Sequence, residues 1–280
     1  LPPLSSELPK SHCEKDHHIA MVLGGYKVVR QASALFKSIL YHHPGPLVFH
    51  FITDEQSREV LPTLFATWNL PSVRVHTYDI DAYKSRVDWI PNAHYSAVYG
   101  LMKLIIPDIL PYDTEEVLLF DTDLIVLGDI TPLFDAFNGT PESALFAIGK
   151  NLSPFYTQSK DRWPAIGRGY NSGVVYLNLA RIRNSMWNEI WRAATEEQLK
   201  IFKRLYLADQ DFFNTVSFNH PSMFVLLPCV YNFQLGGISQ PVNCEQDDRH
   251  EKIAHFNSPQ KMKLRSNLVV HYAQKVAAYE

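Results

Sequence analysis

The sequence predicts an α/β fold, a single domain in which a mostly parallel central sheet is flanked by helices. Three observations lead there. In the first half of the chain, apolar runs of strand length alternate with longer stretches carrying apolar residues at helical spacing, the βαβ rhythm of a parallel sheet. Asp121-Thr122-Asp123 follows directly on the apolar run Val117-Leu118-Leu119-Phe120, placing two carboxylates at a strand's C-terminal end, where open α/β sheets hold ligands. The 280 residues are 46% hydrophobic and 20% charged. A chain of that size buries roughly 75% of its unfolded surface without needing staples.

Each element follows from its residues. A buried strand over 19–23 ends in Gly24-Gly25, and 31–41 carries Ala32, Leu35, Phe36, Ile39 and Leu40 at helical spacing. A second strand over 47–52 is closed by Thr53-Asp54, a helix follows over 55–68, and a third strand over 73–78. The spacing predicts a helix over 96–106 carrying Lys103, which leads past Pro107 and Pro111 to the strand at 117–120. The run 124–127 reads as another buried strand. Beyond it the rhythm changes: strands are expected at 144–148 and 173–179, with an irregular aromatic stretch over 151–169 between them. Amphipathic helices are expected at 186–202 and 209–218, and a terminal helix at 266–279. No Gly/Ser linker divides the chain, so after a polar leader over 1–16 the expectation is one domain over 17–280, with a nucleotide-binding half (17–128) and an acceptor half (129–280).

Composition excludes several function classes. Net charge is −3 with no Lys/Arg cluster, so there is no nucleic-acid footprint. Apolar stretches reach only about eight residues, well short of a membrane span. The chain opens on Leu-Pro-Pro rather than Met and reads as a piece of a longer precursor, so any membrane attachment is expected through a segment outside it. Cys229 and Cys244 flank a Gly/Pro-containing loop that a disulfide would close in a secretory compartment, and two free thiols fit the count equally. Cys13 stands apart. The sequons at Asn138 and Asn151 point toward a lumenal location. No G-x-G-x-x-G, Walker loop, paired C-x-x-C or G-x-S-x-G is present, which removes dinucleotide, P-loop, zinc and serine-hydrolase readings.

Three clusters and two single residues carry chemistry. Asp121 and Asp123, two apart in an extended segment, face one side and can offer oxygens to one hard divalent cation; a strand-ending turn with solvated carboxylates is the alternative. In Ile253-Ala254-His255-Phe256-Asn257-Ser258-Pro259-Gln260-Lys261 an imidazole ends a strand, with Lys261 six residues on. His255 would complete a mixed oxygen/nitrogen set suited to Mn²⁺, with Lys261 meeting a diphosphate, or it is a hydrogen-bonded structural histidine. Asp209, Gln210 and Asp211 open a helix, where acids either cap free N–H groups or offer themselves to sugar hydroxyls. Asn171 either positions a hydroxyl or shapes the turn before a strand. Tyr26, after Gly24-Gly25, can stack on a base or lie half-buried.

Taken together and in this order, the strings Trp89-Ile90-Pro91-Asn92-Ala93-His94-Tyr95-Ser96, Tyr99-Gly100-Leu101-Met102-Lys103-Leu104, Trp163 through Gly173, Leu207-Ala208-Asp209-Gln210-Asp211 and His255-Phe256-Asn257-Ser258-Pro259 resemble the retaining, metal-dependent glycosyltransferases of family 8. Within that family they look like the xylose-transferring domain of the LARGE-type enzymes. The resemblance covers roughly residues 19–263 and implies the GT-A (Rossmann-like) fold. It implies Mn²⁺ on Asp121, Asp123 and His255, with Tyr26, Lys103, Thr122 and Lys261 toward a UDP-sugar donor. Asn171, Asp209 and Gln210 would serve the transfer itself. The implied reaction moves xylose to a glycan or glycoprotein acceptor, glucuronic acid of a matriglycan-like chain; UDP-glucose or UDP-galactose transfer, or sugar binding without transfer, are the alternatives. The implied setting is the Golgi lumen, as the catalytic part of a type II membrane protein, with a dimer among the expected assemblies. Two departures stand out: Ser258 where many relatives have Gly, a Ser the LARGE-type pattern shares, and Leu23 where many place an acid facing uracil.

Overall fold

In the computed structural model, residues 15–158, 163–236, 244, 250–257, 274 and 277 are described. Lys261, Ser258, Cys13 and most of the expected leader and terminal helix therefore lie outside the described residues.

Strands β1 (His17–Val22), β2 (Leu47–Thr53) and β3 (Val73–Asp79) run parallel, joined by helices α1 (Tyr26–His42) and α2 (Glu55–Thr67). All seven residues of β2 are buried, as a parallel strand covered on both faces requires. Val29, Ala32, Leu35, Phe36 and Ile39 form the buried stripe of α1. That helix begins five residues before the periodicity suggests, because its first turn exposes Tyr26 and Lys27 and so shows no apolar pattern. Asp54 caps α2 by accepting the Ser57 N–H (2.8 Å), and its other oxygen accepts the Gly25 N–H (2.5 Å). The start of α2 is thereby tied to the turn after β1.

The single helix expected over 96–106 is broken into α3 (Ala97–Leu101), a 3₁₀ turn (Met102–Ile105) and α4 (Ile106–Ile109). Pro107 supplies no N–H and disfavours helical geometry before it, so the chain tightens ahead of it. Four consecutive side chains of the tight turn are buried, Lys103 among them.

β4 (Glu116–Phe120) then pairs with β1 on the side away from β2. β5 (Leu124–Val126) leaves the main sheet. After β6 (Phe146–Lys150) the stretch expected to be irregular contains a short α5 (Phe155–Gln158). β7 (Tyr170–Asn178) is followed by α6 (Leu179–Arg183), α7 (Trp187–Phe202) and α8 (Asp209–Asn219). β8 (Phe224–Leu227) is a strand the sequence reading missed, and β9 (Phe233–Gln234) and β10 (Ile253–His255) complete the described chain. The main sheet has the order β3-β2-β1-β4-β7-β6-β8, and β5-β10-β9 form a small second sheet. Only β7 runs against the others in the main sheet.

Core packs on both faces of the large sheet. One side gathers Phe146, Trp187, Trp191, Phe212 and Phe213; the other gathers Phe36, Phe49, Phe51 and Phe65. Cys229 and Cys244 are joined by a disulfide, with Cα atoms 5.5 Å apart. Among the described residues, no helix is long and apolar enough to cross a membrane.

Candidate active site

Strand order reverses between β1 and β4, and such a switch point opens a crevice beyond the strands' C-terminal ends. β1 delivers Gly24-Gly25 there, and β4 delivers Asp121. Because β7 is reversed, it contributes its beginning rather than its end, which brings Asn171, Ser172 and Gly173 to the same edge.

The Asp pair does not sit in an extended segment as its spacing suggested. Asp121-Thr122-Asp123 occupies the turn where the chain passes from the large sheet to the small one. Both acids nonetheless converge, because their backbone is pinned: the Asp121 N–H donates to Gly173 O (2.9 Å) and the Phe256 N–H to Asp123 O (2.9 Å). The second bond comes from the residue after His255, so it also brings that ring to the acids. His255 Nε2 lies 3.3 Å from Asp123 Oδ1 and 3.6 Å from Asp121 Oδ2, and one ligand atom from each of the three residues lies within 4.8 Å of the others. This oxygen, oxygen, imidazole set fits a divalent cation of the Mn²⁺ type. Packing reserves the space: a methyl group on Gly173 would stand 2.1 Å from His255 Cε1.

Lys103 lies beneath this group. Its ammonium contacts Asp121 Oδ1 at 2.6 Å, Asp209 Oδ2 at 2.9 Å and Ser172 O at 3.0 Å, so its three protons each have a partner. Burial pulls its pKa down, but Asp121 and Asp209 outweigh that and hold it above the ordinary lysine value. The charge is locked on. Asp121 is thus shared between a buried cation on one side and the imidazole side of the site on the other.

The start of α8 divides its two acids. Asp211 reaches back to fasten the loop that enters the helix: Oδ2 accepts the Tyr206 and Leu207 N–H groups (2.6 and 2.8 Å), and Oδ1 accepts the Tyr156 hydroxyl (2.9 Å). Asp209 makes no helix cap and is turned to Lys103 instead. Gln210 Oε1 accepts from Asn171 Nδ2 (2.9 Å), so the amide and glutamine expected to serve a sugar are adjacent. Tyr26, 57% exposed, stands at the first position of α1 on the rim. Thr122, half-buried, lies at the tip of the Asp turn. Leu23 is buried in the core and presents nothing to the crevice. Of the expected site residues, only Lys261 lies outside the described residues.

Two contributors were not singled out by the sequence reading. Asn232 is buried and approaches both His255 and Asn171, and its signal was a lone amide inside the apolar run Val230-Tyr231-Asn232-Phe233. His94, whose Nδ1 lies 2.8 Å from Ser96 Oγ, sits in the field of Asp209 and Asp121: burial lowers its pKa and those carboxylates oppose the shift.

A family model described as Glycosyl transferase family 8 matches residues 12–262. Xylosyl- and glucuronyltransferase LARGE1 of Gallus gallus is 40% identical over 256 residues, covering 90% of this chain and 34% of that protein. LARGE2 of Homo sapiens, of the same description, is 38% identical over 265 residues, covering 93% of this chain and 37% of that protein. The chain spans about a third of the length of these curated relatives. Among solved structures, mouse xyloside xylosyltransferase 1 in its apo form superposes with a TM-score of 0.70 at 23% identity, over 87% of this chain and 98% of that one. Galactosyltransferase LgtC, solved with donor and acceptor sugar analogs, gives 0.68 at 17% identity, over 93% and 95%. At such identities the likeness shows the fold, and it is the GT-A fold expected from the sequence.

Proposed function

Because the chain belongs to glycosyl transferase family 8, we propose that this glycosyltransferase domain moves xylose from UDP-xylose to a glycan acceptor, using Mn²⁺ and retaining configuration at the anomeric carbon. The observation that carries this reading is the convergence of Asp121 and Asp123, from one turn, with His255, more than 130 residues later in the chain. The names of the relatives pair xylosyl with glucuronyl transfer, which supports a glucuronic-acid end of a matriglycan-like chain as the acceptor. The disulfide supports an oxidising compartment, read here as the Golgi lumen, with the domain as the lumenal part of a type II membrane protein.

A divalent ion on the triad supplies positive charge toward the departing diphosphate. The chain's own groups do the rest. Lys103 holds Asp121 and Asp209 in place and adds fixed charge behind them. Thr122 and Lys261 serve the phosphates, and the Tyr26 ring lies against uracil. Asn171 and Asp209 hold sugar hydroxyls, with Gln210 beside the anomeric carbon. Double displacement would need a carboxylate nucleophile. Asp209 is buried and ion-paired with Lys103, and Gln210 is an amide whose oxygen is engaged by Asn171. Front-face transfer fits these residues better: the bond from anomeric carbon to phosphate oxygen breaks, the acceptor oxygen bonds on the same face, and its proton passes to the departing diphosphate.

The test is a panel of UDP-sugars with Mn²⁺ and a glucuronate-terminated acceptor. The expected result is transfer of xylose alone, with retained configuration, and less than about one hundredth of that turnover in Asp121→Asn. Transfer of a different sugar would replace the donor assignment. Undiminished turnover in Asp121→Asn at equal metal affinity would remove the metal role.

A further inference from the structure

A chain of side-chain amides connects His255 to Gln210, and its polarity is fixed by the backbone. The Gly173 N–H, which can only donate, lies 3.0 Å from one end of the Asn171 carboxamide, so that end is Oδ1. The Asn171 nitrogen consequently faces Gln210 Oε1 at 2.9 Å. One end of the Asn232 carboxamide lies 2.8 Å from Asn171 Oδ1 and 3.2 Å from the Asn171 carbonyl oxygen. Both of those atoms only accept, so this end of Asn232 is its NH₂. Its oxygen is therefore the atom 2.9 Å from His255 Nδ1. An oxygen there must receive a proton, so Nδ1 carries the N–H. A neutral imidazole then has a bare Nε2, which is the nitrogen turned toward Asp121 and Asp123.

We propose that Asn232 is a positioning residue for the donor site: held by Asn171, it keeps His255 as the Nδ1–H tautomer with Nε2 free to bind a divalent cation. This rests on the metal reading above and adds the group that prepares the ligand. The Asn232 contacts to Asn171 Oδ1 and His255 Nδ1 are short and the residue is 1% exposed, so water does not compete for them. The same relay turns the Gln210 oxygen inward, so one backbone N–H orients a metal ligand at one end and the glutamine beside the anomeric carbon at the other. Space for Asn232 is reserved at Gly149 in β6, where an added methyl group would stand 3.2 Å from the Asn232 Cβ.

The test uses the whole chain and two variants. Asn232→Leu removes the hydrogen bonds to His255 and to both Asn171 oxygens. Asn232→Asp keeps an acceptor for Nδ1–H and sets a carboxylate against the Asn171 oxygens. In metal-free protein labelled with ¹⁵N-histidine, ring resonances assigned with His255→Gln are expected to place the wild-type proton on Nδ1. In Asn232→Leu they are expected to show a mixture of tautomers. Mn²⁺ titration is expected to give about 10- to 100-fold weaker binding in Asn232→Leu and a smaller loss in Asn232→Asp. A wild-type ring protonated on Nε2 alone overturns the proposal, and this readout stands even where Asn232→Leu fails to fold. Wild-type Mn²⁺ affinity in a folded Asn232→Leu overturns it too. If the wild-type protein transfers no sugar while its ring carries Nδ1–H and Asn232→Leu scrambles it, the reaction assignment fails and the positioning role stands.

Discussion

Gly173 lies in β7 with its α-carbon against the His255 ring, so the smallest possible change there acts on the candidate metal ligand. Gly173→Ala fits strand geometry, but its methyl group must displace the imidazole. The expected outcome is at least about tenfold weaker Mn²⁺ binding with about 1–3 kcal/mol lost from stability, read by metal titration and thermal melts. Melting and affinity both at wild-type values would contradict the close packing. The residue types of this site were legible in the sequence, since Asp121, Asp123, His255, Asp209, Gln210 and Asn171 do come together. Their division of labour was not. Nothing in Ala208-Asp209-Gln210-Asp211 announces that one acid faces Lys103 while the other holds the backbone of Tyr206 and Leu207. Asn232 went unremarked because an amide in an apolar run is informative only once its partners are placed.

Helices were legible where burial is one-sided and blurred where it is not. α1 and α7 show clean apolar stripes, whereas the segment around Lys103 is buried along consecutive residues, which erases the period that distinguishes a helix from a 3₁₀ turn. The turn at Asp121-Thr122-Asp123 was equally hidden, since apolar strands on both sides look continuous whether or not they share a sheet. The loop entering α8 makes a prediction of its own. Burial raises the Asp211 pKa to about 6, against the opposing hydrogen bonds from the Leu207 and Tyr206 amides and the Tyr156 hydroxyl. A carboxyl whose folded pKa lies above its unfolded value near ~4 contributes most at low pH, and that contribution fades as pH rises through about 6. Relative to Asp211→Asn, which cannot titrate, the wild-type protein is expected to lose roughly 2 kcal/mol of stability between pH 4 and 7. Urea unfolding at several pH values measures this, and parallel curves for the two proteins would refute it.

At the scale of the molecule, the alternating first half announced the parallel sheet. The reversal of β7 against β4 and the pairing of β5 with β10 were beyond reach, because partners more than fifty residues apart leave no local pattern. The disulfide, an even choice on the sequence, spans 15 residues and anchors the segment that leads into Asn232. Replacing both cysteines with serine is expected to remove about 3 kcal/mol of stability in denaturant unfolding. It is also expected to weaken Mn²⁺ binding, and unchanged values of both would mean that the loop is held by packing alone. The placement of β10 between β5 and β9 has a further consequence, in time. His255 is made about 130 residues after Asp121, a delay of roughly 7–26 seconds at ribosomal speeds of ~5–20 residues per second. Throughout that interval the nascent chain carries both carboxylates without their imidazole, so the metal role proposed above would begin only once synthesis has passed β10.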